Sequence, residues 1–250
     1  TQDCQEPIRD IDNYLIVPVP FIAKGDVAFK GETEVVLANA DKNTSIYYKL
    51  DDEDYQLYDK PFIISEPATL EVYSEFNKTQ SPHITTQFYK IDPNVSIVLE
   101  TEYANQYNGG GNNALIDGIY GTQDFRTGTW QGYFDKDLIA TVDLGSEKSV
   151  NSVRVNFLQD QRSWIFYPTE VSCFGSTDGI NFMAIDKPIN INATIPSDDS
   201  KIKTLEFKEL KKNYRFIKIM AKKLGMLPEW HLGYAHDGRS WLFVDEISIK

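Results

Sequence analysis

Period-two alternation of apolar residues recurs along the whole chain with no long helical stripe beside it, and this limits the fold more than any other feature. In TLEVYSEF, Leu70, Val72 and Phe76 share one face while Glu71, Tyr73 and Glu75 take the other. LIATVDLG aligns Leu138, Ala140, Val142 and Leu144, SVRVNF aligns Val153, Val155 and Phe157, and FIKIMA aligns Ile217, Ile219 and Ala221. Successive side chains leave a strand on opposite sides, so each run reads as a half-buried strand. Turn-forming stretches such as STDGINF, ISEP and IPSDDS separate the runs, and FKELKKNYRF is at most one helical turn. Many short strands without alternating helices predict an all-β protein of sandwich type.

Pro93 and Asn94 in YKIDPNVS mark the best domain boundary. The expected organisation is a polar lead-in over residues 1–15, a small sandwich over 16–93 and a larger one over 94–250. About seven and about eight short strands are expected in the two sandwiches, with longer loops in the second. Charge follows the same division. The net charge of −12 is concentrated before residue 95, and all four tryptophans fall after it. Such an acidic chain is a poor partner for a phosphate backbone, which excludes nucleic acid as the expected ligand. No apolar run reaches the ~18 residues of a membrane span, so no membrane insertion is expected. Cys4 and Cys173 are the only cysteines, too few for a disulfide framework or a zinc cluster. TQD before Cys4 lacks the apolar and small residues that a lipid-attachment signal needs.

Five blocks in order then resemble a known family. GGGNNALIDGIYGTQDFRTGTWQGY, IATVDLGSEKSVNSVRVNFLQD, TEVSCFGSTDGINF and WLFVDEISI, with FLQDQRSWIFYP, are similar to the factor V/VIII type C (discoidin) domain and to bacterial family 32 carbohydrate-binding modules. The wording of GTQDFRTGTWQGY and FLQDQRSWIFYP resembles modules attached to secreted β-N-acetylhexosaminidases of glycoside hydrolase family 20. SIYYKLDDEDYQLYDKPFII resembles the small immunoglobulin-like domain that precedes such modules, with Asp52, Glu53 and Asp54 where the pattern has Gly-Ser. The resemblance implies an immunoglobulin-like sandwich followed by a discoidin-type (galactose-binding-like) jelly roll. It implies a chain outside the bacterial cytoplasm: extracellular, periplasmic or on the cell surface. It also implies a catalytic domain upstream in the parent protein.

The same resemblance implies a structural calcium ion. Asp117 and Glu246 would supply side-chain oxygens, and Ala114, Ile119, Thr129 and Asp245 main-chain oxygens. Calcium is a hard cation that takes oxygen ligands, and a glycine-containing loop can fold its carbonyls inward around it. On spacing alone Asp117 reads equally as a turn residue and Glu246 as a solvated strand residue.

A pyranose has apolar C–H faces ringed by hydroxyls, so its binding needs an exposed aromatic plate with charged groups at the rim. Three loop segments offer these: Arg126 and Trp130; Asp160, Arg162 and Trp164; and Trp230, His231, His236 and Arg239. Converging at one end of a jelly roll, they would form a glycan site. Each has a structural alternative. Trp130 can pack beneath its own loop, Trp241 in SWLFVDEI reads as core, and Arg126 can satisfy loop carbonyls. His231 and His236 have neither helical spacing nor a nearby cysteine, which excludes zinc.

Catalytic signals are missing. Asp245 and Glu246 are neighbours on a strand and should point to opposite faces, unlike the paired carboxyls of a glycosidase. Asp51–Asp54 reads as a solvated turn, and no nucleophile elbow, P-loop or dinucleotide fingerprint occurs. The expected function is therefore glycan binding without catalysis, tethering an enzyme to galactose- or N-acetylhexosamine-containing glycans. The alternative is a discoidin-type structural, protein-interaction or adhesion module with no sugar site.

Overall fold

The computed structural model describes residues 16–208 and 212–250. The chain forms two compact units that meet between Lys90 and Ile91. The lead-in over residues 1–15, with Cys4, lies outside the described residues.

In the first unit, strands β1 (Phe21–Lys24), β3 (Thr33–Ala38) and β6 (Phe62–Ile64) make a three-stranded sheet. A second sheet runs in the order β2 (Ala28–Phe29), β9 (Ile84–Lys90), β7 (Ala68–Phe76), β4 (Ser45–Leu50) and β5 (Gln56–Leu57), and β8 (Thr79–Gln80) pairs with β7. Val35, Leu37 and Ile64 of one sheet pack against Phe29, Leu70, Val72 and Phe88 of the other. The unit therefore has nine strands among the described residues, where about seven are expected. Three of the nine are two-residue pairings, too short for alternation to register. Asp51–Asp54 is the exposed turn that links β4 to β5.

The second unit is a two-sheet sandwich. One sheet runs β10 (Ser96–Leu99), β12 (Leu138–Val150), β18 (Lys212–Lys222), β14 (Glu170–Ser176) and β15 (Met183–Ala184), with β16 (Ile189–Asn190) on β14. The other runs β11 (Gln131–Phe134), β19 (Trp241–Ile249), β13 (Val153–Gln159) and β17 (Lys201–Phe207). All these pairings are antiparallel. The expected faces are the buried ones. Leu138, Ala140, Val142 and Leu144 alternate inward from β12, and Ile217, Ile219 and Ala221 do so from β18. They meet Val153, Val155 and Phe157 of β13 across one continuous core. Cys173 lies in that core, where burial pushes its thiol up to about 12. The segment FKELKKNYRF is mostly strand, the end of β17 and the start of β18, and residues 209–211 are outside the described part.

One irregularity matters for function. β13 and β19 pair Val155 with Ile247 but Phe157 with Val244, so Asn156 alone faces both Asp245 and Glu246. That is a β-bulge, which re-aims side chains at the point of insertion.

Candidate functional site

The loop Asp117–Thr129, which precedes β11, covers the bulge. The Gly118 N–H donates to Glu246 Oε2 at 3.1 Å, and the Gly121 N–H donates to Asp245 Oδ2 at 2.6 Å. Both acids thus reach the same loop, which corrects the expectation that they point to opposite faces. The physical cause is the extra residue of the bulge, which breaks period two between positions 245 and 246. Asp117 is buried beside them, with Oδ1 accepting from the Ile119 N–H at 2.8 Å.

Three carboxyls are therefore buried together, and none has a basic partner among the described ion pairs. Burial, with mutual repulsion added for Asp245 and Glu246, pushes Asp117 up to about 6, Asp245 to about 7 and Glu246 to about 8. Asp245 Oδ1 is a buried oxygen with no hydrogen-bond partner among the described residues. An all-oxygen donor set with an orphaned buried carboxylate oxygen fits a hard divalent cation. Among the described residues, no three His, Cys, Asp or Glu side chains by themselves form a metal cage. A cation here would accordingly take part of its shell from main-chain oxygens of this loop. Ala114 is buried near the loop's start, and Thr129 is half-buried near its end.

Trp130 does not form an aromatic plate. It is 1% exposed, packs with Phe125, Leu158, Ile165 and Phe243, and donates from Nε1 to the Thr122 carbonyl at 2.8 Å. Gly121 makes this possible, because a Cβ there would lie 2.3 Å from Trp130 Cε2. Arg126 is exposed but lies over the Phe125 ring and pairs with Asp124 at 3.2 Å. Arg239 lies over Phe134 and pairs with Asp237 at 2.7 Å. Neither arginine lines the cleft described next. Trp241 is half-buried against Tyr107, Phe134 and Phe243.

The remaining tryptophans do converge. A cleft of about 280 Å³ is lined by Trp164, Trp230 and His231 together with Arg162, Ser197 and Asp198. Trp230 is 46% exposed, while Trp164 is half-buried. Trp164 sits at φ +62, closing the turn from Asp160 to Ile165, whose ends exchange backbone hydrogen bonds at 3.0 and 3.1 Å. A tryptophan in that region is strained by about 1–3 kcal/mol. The surroundings hold it there: its N–H donates to the Gln161 carbonyl and its carbonyl accepts from the Trp241 N–H. Its indole lies against Gly233, where a Cβ would come within 1.9 Å of Nε1.

His231 is buried beneath the two indoles, edge-on to Trp164 at 5.4 Å and to Trp230 at 5.7 Å. Its Nδ1 accepts from the Gly233 N–H at 3.0 Å, which leaves Nε2–H to donate to the Gln161 carbonyl at 2.7 Å. With both nitrogens engaged by backbone, His231 holds the indoles in place and has no polar atom left for a ligand. This corrects its expected role. Asp160 is buried beside the cleft, with Oδ2 accepting from Ser163 Oγ and Arg162 Nε 3.9 Å from Oδ1. It is a support residue rather than part of the lining.

Gln161 is the residue the sequence analysis overlooks. Buried, it donates from Nε2 to the Ile195 carbonyl at 2.8 Å and accepts at Oε1 from the Ser197 N–H at 2.7 Å. With its carbonyl bound to His231, it joins the loops around 161–164, 195–198 and 230–234. No motif marks it, and Ser197 and Asp198 belong to a stretch that reads only as a turn.

Residues 96–236 match the F5/8 type C domain model, more than half of the chain, and the protein belongs to that family. The second unit is its jelly-roll sandwich. Among solved structures, the chain is similar to CpGH89CBM32-6 produced by Clostridium perfringens, at 16% identity and TM-score 0.37, covering 64% of this chain and 94% of that one. It is similar to CpGH89CBM32-5 from Clostridium perfringens, in complex with GalNAc-β-1,3-galactose, at 20% identity and TM-score 0.38, covering 62% and 94%. A Ruminococcus gnavus GH29 fucosidase in complex with fucose matches at 14% identity and TM-score 0.41, covering 62% of this chain and 25% of that one. No curated protein matches the chain. No helix among the described residues is long and apolar enough to cross a membrane.

Proposed function

We propose that the second unit is a non-catalytic glycan-binding module. The observation that carries this reading is the cleft: two indoles, one of them half exposed, share one wall set with the unclamped donors of Arg162 and the free carboxylate of Asp198. That combination supplies an apolar plate for a sugar ring and rim groups for its hydroxyls. The buried carboxyls do not line this cleft and form no acid–base pair across it. A calcium ion held by Asp117 and Glu246, with Asp245 and main-chain oxygens near Ala114, Ile119 and Thr129, would neutralise the buried charges and tie the covering loop to β19.

We further propose that the chain is the accessory region of a secreted bacterial glycoside hydrolase, of the family 20 β-N-acetylhexosaminidase type, and that it tethers the enzyme to galactose- or N-acetylhexosamine-containing glycans. Residues 16–93 would be its immunoglobulin-like spacer. Tethering raises the local substrate concentration to about the millimolar scale without any added catalytic contact. The exposed side chain of Leu232 in the cleft lining favours a second reading, in which this face binds a protein. A glycan array probed with the chain and with Trp230→Ala separates the two. Carbohydrate binding lost in the variant supports the first reading, and an array without any bound glycan removes it.

A further inference from the structure

We infer that the cleft discriminates sugars by charge, taking amino sugars in preference to neutral ones and neutral ones in preference to uronic acids. This rests on the sugar-site reading above and adds the class of ligand.

The inference comes from a balance of side chains around the cleft. Arg162 is the cation in the lining, and it does not stand alone. Asp160 lies 3.9 Å from its Nε. Asp199 is also within its field: that carboxyl is lowered first by its hydrogen bond and charge pairing with Lys201, and then by Arg162. One buried carboxylate therefore already lies beside the guanidinium, while Asp199 is paired with Lys201 at 2.9 Å. Asp198, in the lining itself, and Glu229, next to Trp230, are exposed and have no ion pair or hydrogen-bond partner among the described residues. A ligand entering between Trp230 and Asp198 thus meets uncompensated negative charge. An ammonium on the sugar gains an ion pair with Asp198, whereas a carboxylate meets the repulsion of Asp198 and Glu229, which the single charge of Arg162, itself flanked by Asp160, does not outweigh. His231 does not alter the balance, because its two nitrogens are taken up by the Gly233 N–H and the Gln161 carbonyl.

The effect is that of solvent-exposed pairs, so the expected discrimination is about two- to fivefold at each step. Galactose, galactosamine and galacturonic acid, with the matching gluco series, are titrated into the whole chain at pH 6 and low salt, where the amine is charged and the uronate ionised. The expected order in whichever series binds is amino sugar tightest and uronic acid weakest. Added salt should compress the differences. Asp198→Asn and, separately, Glu229→Gln should bring the amino-to-neutral ratio toward one. A uronic acid that binds as well as the neutral sugar, or a ratio that neither variant changes, overturns the charge inference and leaves the sugar site standing. If no sugar of either series binds, the sugar-site reading falls and this inference with it.

Discussion

Replacing Gly233 by alanine should dismantle the cleft from behind. Gly233 has no left-handed backbone conformation to protect, so the change acts through its added methyl alone. That methyl would lie 1.9 Å from Trp164 Nε1 and 2.7 Å from Leu227 Cδ1, against an ordinary separation of about 3.5–4 Å. The indole must therefore withdraw by roughly 1.5–2 Å. It cannot do so cheaply, because its backbone is fixed at φ +62 and its ring lies against His231. Overpacking of this kind costs about 1–3 kcal/mol. For a unit of this size that lowers Tm by about 2–4 °C per kcal/mol. Losing an aligned aromatic contact adds about 0.5–1.5 kcal/mol to the cost of binding, or roughly a two- to tenfold weaker Kd. Thermal unfolding followed by glycan titration measures both. Gly225→Ala is the control, since nothing lies within 4 Å of a Cβ built there. A Gly233→Ala protein with wild-type Tm and wild-type affinity would refute the packing argument.

Three other perturbations separate the parts of the molecule. Gly121→Ala places a methyl 2.3 Å from Trp130 and should lower stability by about 1–3 kcal/mol while leaving glycan affinity unchanged below the transition, as checked by melting and titration together. Arg126→Ala should leave affinity within about twofold, since its guanidinium is paired with Asp124 away from the cleft; a larger loss would place a sugar subsite at this loop. The buried acids set the pH response. Their folded-state values are raised, so the folded chain binds more protons than the unfolded one between about pH 4 and 8, and stability in EDTA should fall as pH rises through that window. A cation that binds only the ionised carboxylates should reverse the fall, so millimolar calcium raises Tm at pH 8.5 far more than at pH 5. Equal melting curves with calcium and with EDTA at pH 8.5 would remove calcium from the account.

The sheets were legible because one face of each strand meets a core. Leu138, Ala140, Val142 and Leu144 alternate for that reason, as do Ile217, Ile219 and Ala221. The same rule failed at Asp245 and Glu246, because a bulge is a local departure from period two that their own residues do not announce. Trp130 in a glycine-rich loop looks the same whether exposed or buried. What buries it is the missing side chain of Gly121, and only the folded loop brings the two together. Trp164, Trp230 and Arg162 were legible as candidate aromatic and rim groups, and the fold brings the three to one cleft. Gln161 was not, since its role consists of backbone contacts to loops far apart in sequence.

The chain has four tryptophans, which makes the central claim directly measurable. The ¹⁵N-labelled protein gives one indole N–H resonance for each, assigned by single substitution. Addition of a glycan should move the signals of Trp164 and Trp230 in a saturable manner and leave buried Trp130 unmoved. A bound glycan that shifts Trp130 or Trp241 while sparing both cleft indoles would contradict the account.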